Sequence, residues 1–278
     1  FQAQADDALA KLHAAGWESE SDLLHASMFA FATPAIAVTY ANAYAKASVT
    51  DNLCGYSFAP TDGSGLPTAP ATSPMLSIFA DGNGVPPVTG LVDLVYNNAS
   101  GGPVRHSLAD NDFAYAGANC LRDLFVNNTT VAASLAAIKV SGNLKHKPAI
   151  IVHGRSDALV PVNHTSRTYL GLNRNVEGTA SKLSYIEVTN AQHFDAFLAF
   201  AGFNDKFIPM HYYNVQALDL MWNHLKHGGA LPPSQVVRTT PRGAGAPDLT
   251  TANLPSIAGS PATGDVITIT NNTVNVPN

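Results

Sequence analysis

The stretch P-A-I-I-V-H-G-R-S-D-A-L-V-P, residues 148 to 161, decides how the chain is read. Its first six residues form a short continuous apolar run, the pattern of a strand buried on both faces, and Gly154 ends it. A helix is expected over roughly 164 to 173, and Leu183 to Val188 alternates as a second strand should. Strand, helix, strand is a βαβ unit, so the expected class is α/β with a mainly parallel sheet. A further helix over roughly His211 to His227 groups Val215, Leu218, Trp222 and Leu225 on one face, and Gly228-Gly229 stops it.

Working outward, residues 3 to 15 place Ala8, Leu9, Leu12 and Ala15 on one helical face, with Gly16 as the stop. Ser21 is a good N-cap for a second helix, and a third is expected to begin near Pro34. From Tyr56 to Thr89 the composition shifts to Gly, Pro, Ser and Thr, which favours loops over regular elements. The tail beyond Pro232 is Pro- and Gly-rich and closes with an expected edge strand, Val-Ile-Thr-Ile-Thr at 266 to 270. The expected organisation is a lid or insert over 1–140, an α/β core over 141–230 and a C-terminal extension over 231–278.

The 278 residues are 46% hydrophobic and 13% charged, enough apolar material for a sizeable core. A net charge of -5 leaves no basic stripe for nucleic acid or an anionic membrane. The stretch Ala26 to Ala45 lacks charge, but Pro34, Asn42, two Thr and two Tyr make it too polar for a membrane span. No signal peptide is read at Phe1, so the start is expected to be a processing site or a fragment boundary. Cys54 and Cys120 exclude C-x-x-C chemistry. A single disulfide in an oxidising compartment is one reading of them, and two buried thiols are the other.

The chemistry is expected in Asp157 and His193. In open α/β sheets, side chains that act on a ligand sit just past the carboxyl ends of strands. Asp157 follows the first strand closely, and His193, 36 positions on, follows the second. A carboxylate so placed can accept the Nδ1 proton of the imidazole, fixing its tautomer and stabilising the imidazolium formed when it takes a proton from a nucleophile. The order acid then base agrees with the Ser, Asp, His order of α/β-hydrolases, and the bland alternative is a helix cap and a loop histidine.

No G-x-S-x-G stretch supplies the nucleophile. Ser57 stands in G-Y-S-F-A, followed by Pro60 and a Gly/Pro-rich loop where an elbow needs a helix. Ser156 stands in G-R-S-D-A after a strand, but His193 follows too soon to leave room for a separate acid. Glu177 and Glu187 are poorly placed to serve as one. The nucleophile and oxyanion hole are therefore expected on sequence before Phe1.

Other features are weaker. His224 and His227 read as a solvated helix face, since no third metal ligand is near. Asp195 is too close to His193 to reach its Nδ1 and is expected to be structural. Met28, Phe29, Phe31, Ile36 and Val38 could line an apolar pocket, but packing is the commoner explanation of such residues.

The run H-G-R-S-D-A-L-V-P-V-N-H-T-S-R from His153, A-Q-H-F-D-A-F from Ala191 and N-H-L-K-H-G-G-A-L-P-P-S-Q-V-V-R-T-T-P-R-G from Asn223 together resemble the D-(-)-3-hydroxybutyrate oligomer hydrolases. These are bacterial serine esterases that cleave the short linear esters left by poly(3-hydroxybutyrate) depolymerases. The H-G-x-x-D-x-x-V-P portion is shared with prolyl-oligopeptidase-like peptidases and tannase-like esterases, so it points to the α/β-hydrolase fold more than to a substrate. The resemblance implies Asp157 and His193 as acid and base and a serine on the N-terminal portion of a longer protein. It also implies a secreted or periplasmic location, which a Cys54–Cys120 disulfide would suit. Esterase chemistry of this kind requires no cofactor and no metal. Hydrolysis of aromatic esters or peptides, or a non-catalytic cap or binding module, are the competing readings.

Overall fold

A computed structural model describes residues 1–25, 33–69 and 92–278. The chain divides into two compact units, one of Phe1–His25 with Ser141–Asn278 and one of Ala26–Val140. Residues 1–25 therefore belong with the C-terminal unit and not with a 1–140 insert. The ties are polar: Asn163 donates to Gly16 O and Glu18, Arg167 pairs with Glu18, and Ser156 and the Asn190 N–H donate to Glu20.

The C-terminal unit opens with helix α1, Gln2–Ala14, and Gly16, at φ +101, turns the chain out of it. Ser21 does not cap a second helix. It lies buried inside a 3-10 turn, Ser19–Leu24, where Asp22 accepts from Trp17 and faces His13.

In the other unit, helix α2, Thr33–Ala45, begins beside Pro34 as expected and buries Val38 and Ala41. Ile36 is partly exposed, and Met28, Phe29 and Phe31 lie outside the described residues. Strands β1 (Tyr56–Ala59), β2 (Asp93–Tyr96) and β3 (Val104–Arg105) form an antiparallel sheet in that order. Tyr56 to Ala59 is thus strand, against the loop expected there. Tyr56 and Tyr96 face each other across the pairing and bury their rings. Helices α3 (Tyr115–Asn127) and α4 (Thr129–Ile138) follow, and Asn128 between them caps α4 by accepting the Thr130 and Val131 N–H groups. Cys54 and Cys120 are joined, tying the residues before β1 to α3. The bridge closes a span of 66 residues, so Cys54→Ser with Cys120→Ser should lower the unfolding free energy of this unit by about 4 kcal/mol in chemical denaturation.

The rest of the C-terminal unit is built on β4 (Ala149–Gly154), helix α5 (Ser166–Glu177) and β5 (Leu183–Val188), the expected βαβ unit, with β4 and β5 parallel and Gly154 opposite Val188. Helix α6 (Met210–His227) precedes β6 (Gln235–Val237), which pairs in parallel with β5. A strand from the expected extension is therefore part of this sheet. Ile150 and Val152 pack on one face with Ile186, Val188, Ile208 and Tyr213, while Ile151 packs on the other with Leu170, Tyr185 and Val236. Both faces are covered, as a parallel sheet requires. Among the described residues, the other edge of β4 has no partner strand, and its residues before Gly154 are only partly buried.

Helix α6 buries Tyr213 and Ala217, whereas Val215, Leu218, Trp222 and Leu225 are 42 to 65% exposed, with the Lys226 ammonium over the Trp222 ring. The tail strand is one arm of a hairpin, β7 (Thr268–Thr270) with β8 (Thr273–Asn275), turning on Asn271 and Asn272, both at positive φ. Among the described residues, no helix is long and apolar enough to cross a membrane.

Candidate active site

Gly154 ends β4 where the chain passes close to the loop after β5. A Cβ on it would lie 2.3 Å from Ala191 O, so only glycine fits. Just beyond, the Arg155 N–H donates to Val188 O and the Ser156 N–H to Ala191 O, which stitches the two loops together. Asp157 and His193 are carried on those loops. Gly154→Ala should force them apart, costing about 1–3 kcal/mol in thermal unfolding and lowering any activity that depends on them together.

Asp157 is almost completely buried. Its Oδ1 accepts the Leu159 and Val160 N–H groups at 2.9 and 2.8 Å, and its Oδ2 lies 2.9 Å from His193 Nδ1 and 3.2 Å from His153 Nε2. The helix cap posed as the alternative is not formed: Oδ1 holds a bend ahead of the turn Val162–His164, and Oδ2 serves the imidazoles. Burial opposes the carboxylate charge, but the hydrogen bonds from His153, His193 and Val160 and the His193 charge outweigh it and hold the carboxyl well below its usual range. Its contribution to stability is therefore present above the ordinary carboxylate pKa and lost as pH falls through the lower folded value. The stability gap between the protein and its Asp157→Asn variant should narrow as pH falls through the ordinary carboxylate range into strong acid, as measured by urea unfolding at a series of pH values.

The His193 side chain is 34% exposed and stands edge-on to Phe194, ring centroids 4.4 Å apart. Aromatic contacts continue from Phe194 to Phe197, Phe203 and Phe207, so the loop after the histidine is a chain of phenyl rings. With Nδ1 turned to the carboxylate, Nε2 is the nitrogen left to exchange a proton with a reacting group.

Ser156 is not brought to this imidazole. Ser156 is buried and donates to Glu20 Oε2 at 3.0 Å, while Ser57 lies within β1 and donates to Asn97. Among the described residues, no serine hydroxyl is hydrogen-bonded to His193. Asp195 accepts the Met210 and His211 N–H groups and so caps α6, the structural role expected of it. His224 Nδ1 contacts Gly229 O at the other end of α6. Among the described residues, no group of three or more His, Cys, Asp or Glu is placed to hold a metal.

Sequence reasoning missed His153. Its Nδ1 lies 2.7 Å from Ser166 Oγ, which is 3.0 Å from Tyr185 OH, and Tyr185 OH donates at 2.7 Å to Glu187. Glu187 is fully buried between Arg155 and Arg167, both within 2.6 Å of Oε1. Burial works against its ionisation, but the two guanidiniums and Tyr185 hold the carboxyl below its ordinary range. The available signal was spacing: His153 and Glu187 are directly paired across β4 and β5, and His153 stands four residues before Asp157.

The family model of the 3HB-oligomer hydrolases matches residues 1–278. The chain is 59% identical over 280 aligned residues to the D-(-)-3-hydroxybutyrate oligomer hydrolase of Paraburkholderia xenovorans (strain LB400), covering 99% of this chain and 39% of that protein. It is 58% identical to the protein of the same name from Burkholderia pseudomallei (strain 668) and 57% identical to that from Burkholderia mallei (strain SAVP1), with 40% of each covered. No solved structure gives a significant match. The chain thus spans about two fifths of the length of these curated relatives, and over its whole extent it belongs to the 3HB-oligomer hydrolase family.

Proposed function

We propose that this chain carries the acid and the base of a serine esterase of α/β-hydrolase fold that hydrolyses 3-hydroxybutyrate dimers and short oligomers. The nucleophile and oxyanion hole are assigned to sequence N-terminal to Phe1. The observation that carries this reading is the 2.9 Å contact of Asp157 with His193 Nδ1, made from loops that leave adjacent parallel strands at the same sheet edge. The edge of β4 that has no partner strand among the described residues, and the coverage of 39% of the Paraburkholderia xenovorans relative, support a sheet continued by other parts of the protein.

In the proposed reaction the serine attacks the ester carbonyl while His193 Nε2 takes its proton. Asp157 stabilises the imidazolium, which then gives the proton to the departing 3-hydroxy group. A water deprotonated by the same nitrogen then attacks the acyl-serine, and the imidazolium returns that proton to the serine oxygen as the acyl group leaves as the free acid. The Cys54–Cys120 bridge favours a secreted or periplasmic setting for this chemistry.

The test is a substrate panel on the complete protein. Turnover of the 3-hydroxybutyrate dimer and trimer, with galloyl and feruloyl esters and peptides refused, is expected. Preference for a bulky aryl ester or a peptide would overturn the substrate assignment, and failure of a serine-reactive phosphonate to label the protein would overturn the enzyme class.

A further inference from the structure

Two imidazoles converge on one oxygen of Asp157, and only His193 has a place in the reaction above. Three polar contacts lead away from the other ring: His153 Nδ1 to Ser166 Oγ, Ser166 Oγ to Tyr185 OH, and Tyr185 OH to Glu187 Oε2. Ser166 and Tyr185 have two hydroxyl protons between them for these three contacts. Glu187, ionised between two guanidiniums, can only accept, so the Tyr185 proton goes to it. Tyr185 then accepts from Ser166, and Ser166 can be satisfied only by a proton on His153 Nδ1. At the other end of the ring, Nε2 faces the ionised Asp157 and must also carry a proton.

We propose that His153 is a positioning residue held as an imidazolium, donating from Nε2 to Asp157 and from Nδ1 to Ser166, and that its charge moderates the pull of Asp157 on His193. The surrounding charges agree. Among the described residues, Glu18, Glu20 and Glu187 pair with Arg155 and Arg167, whereas Asp157 pairs with the two imidazoles, so a cation beside it is favoured. Tyr185, the remaining titratable group in the chain of contacts, is buried and kept neutral, its pKa raised by burial and by Glu187. A fixed cation on the far side of Asp157 leaves less of that carboxylate's field to stabilise a proton on His193.

The functional part of this inference rests on the acid and base reading, but the protonation of His153 can be measured without substrate. In the full chain labelled with 15N-histidine, both ring nitrogens of His153 should show protonated shifts at about pH 7. A bare nitrogen on His153 at that pH would overturn the proposal. In His153→Gln, which keeps a donor but not the charge, the His193 midpoint should rise by about one pH unit. An unmoved or lowered midpoint would overturn the moderating role, and if that variant does not fold the wild-type spectrum alone decides the protonation state. A doubly protonated His153 alongside a His193→Ala variant of undiminished activity would defeat the catalytic reading only. A neutral His153 alongside an inactive His193→Ala would defeat this proposal only.

Discussion

His193→Ala in the complete protein is expected to reduce kcat on the 3-hydroxybutyrate dimer by about 10,000-fold or more, with KM changed little. The imidazole is the proposed acceptor of the nucleophile's proton and the donor to the leaving group, so its removal disables both halves of the reaction. It is a third exposed and its Nδ1 contact is to one carboxylate, so its loss should leave the fold intact. The circular dichroism spectrum and unfolding midpoint of the variant are the control. Asp157→Asn should approach the same loss because an amide cannot hold the imidazole in the Nδ1–H tautomer. A His193→Ala protein that turns over the dimer at the wild-type rate would sink the assignment outright.

The second large effect is on stability. Glu187→Ala should lower the unfolding free energy by about 3–5 kcal/mol, seen as a clear fall in the denaturation midpoint. The carboxylate is fully buried, and it receives Arg155 through Nε, Arg167 through two nitrogens and the Tyr185 hydroxyl. Removing it takes the shared carboxylate from two guanidiniums that are themselves 6% and 14% exposed, leaving Glu20 near Arg155 and Glu18 against Arg167. Replacing all three charged residues by apolar ones of similar volume should recover much of the loss, since the penalty comes from uncompensated charge more than from a missing attraction. A single-variant change under about 1 kcal/mol would show that the cluster is solvated in a way these burial values deny.

The run at 148 to 153 and the alternation at 183 to 188 are local patterns, and β4 and β5 occupy them nearly to the residue. Asp157 and His193 were legible because a strand end fixes where the next few residues can point. The spacing of Val215, Leu218, Trp222 and Leu225 correctly indicated a helix but not its buried face, because α6 is apolar on more than one side and the sheet selects the side bearing Tyr213 and Ala217.

By itself, then, the sequence determined the βαβ unit, its Asp and His at the strand ends, and the absence of an elbow serine from these 278 residues. Periodicity and turn chemistry are properties of neighbouring residues, which is why they could be read there. Long-range packing set the rest: residues 1–25 join the C-terminal unit, β6 completes a parallel sheet that has three strands among the described residues, and Cys54 meets Cys120. It also decided that Asp157 is shared by two histidines, one of them tied through Ser166 and Tyr185 to Glu187. Those facts depend on distances between residues far apart in the chain, set by burial and by the matching of buried charge with charge.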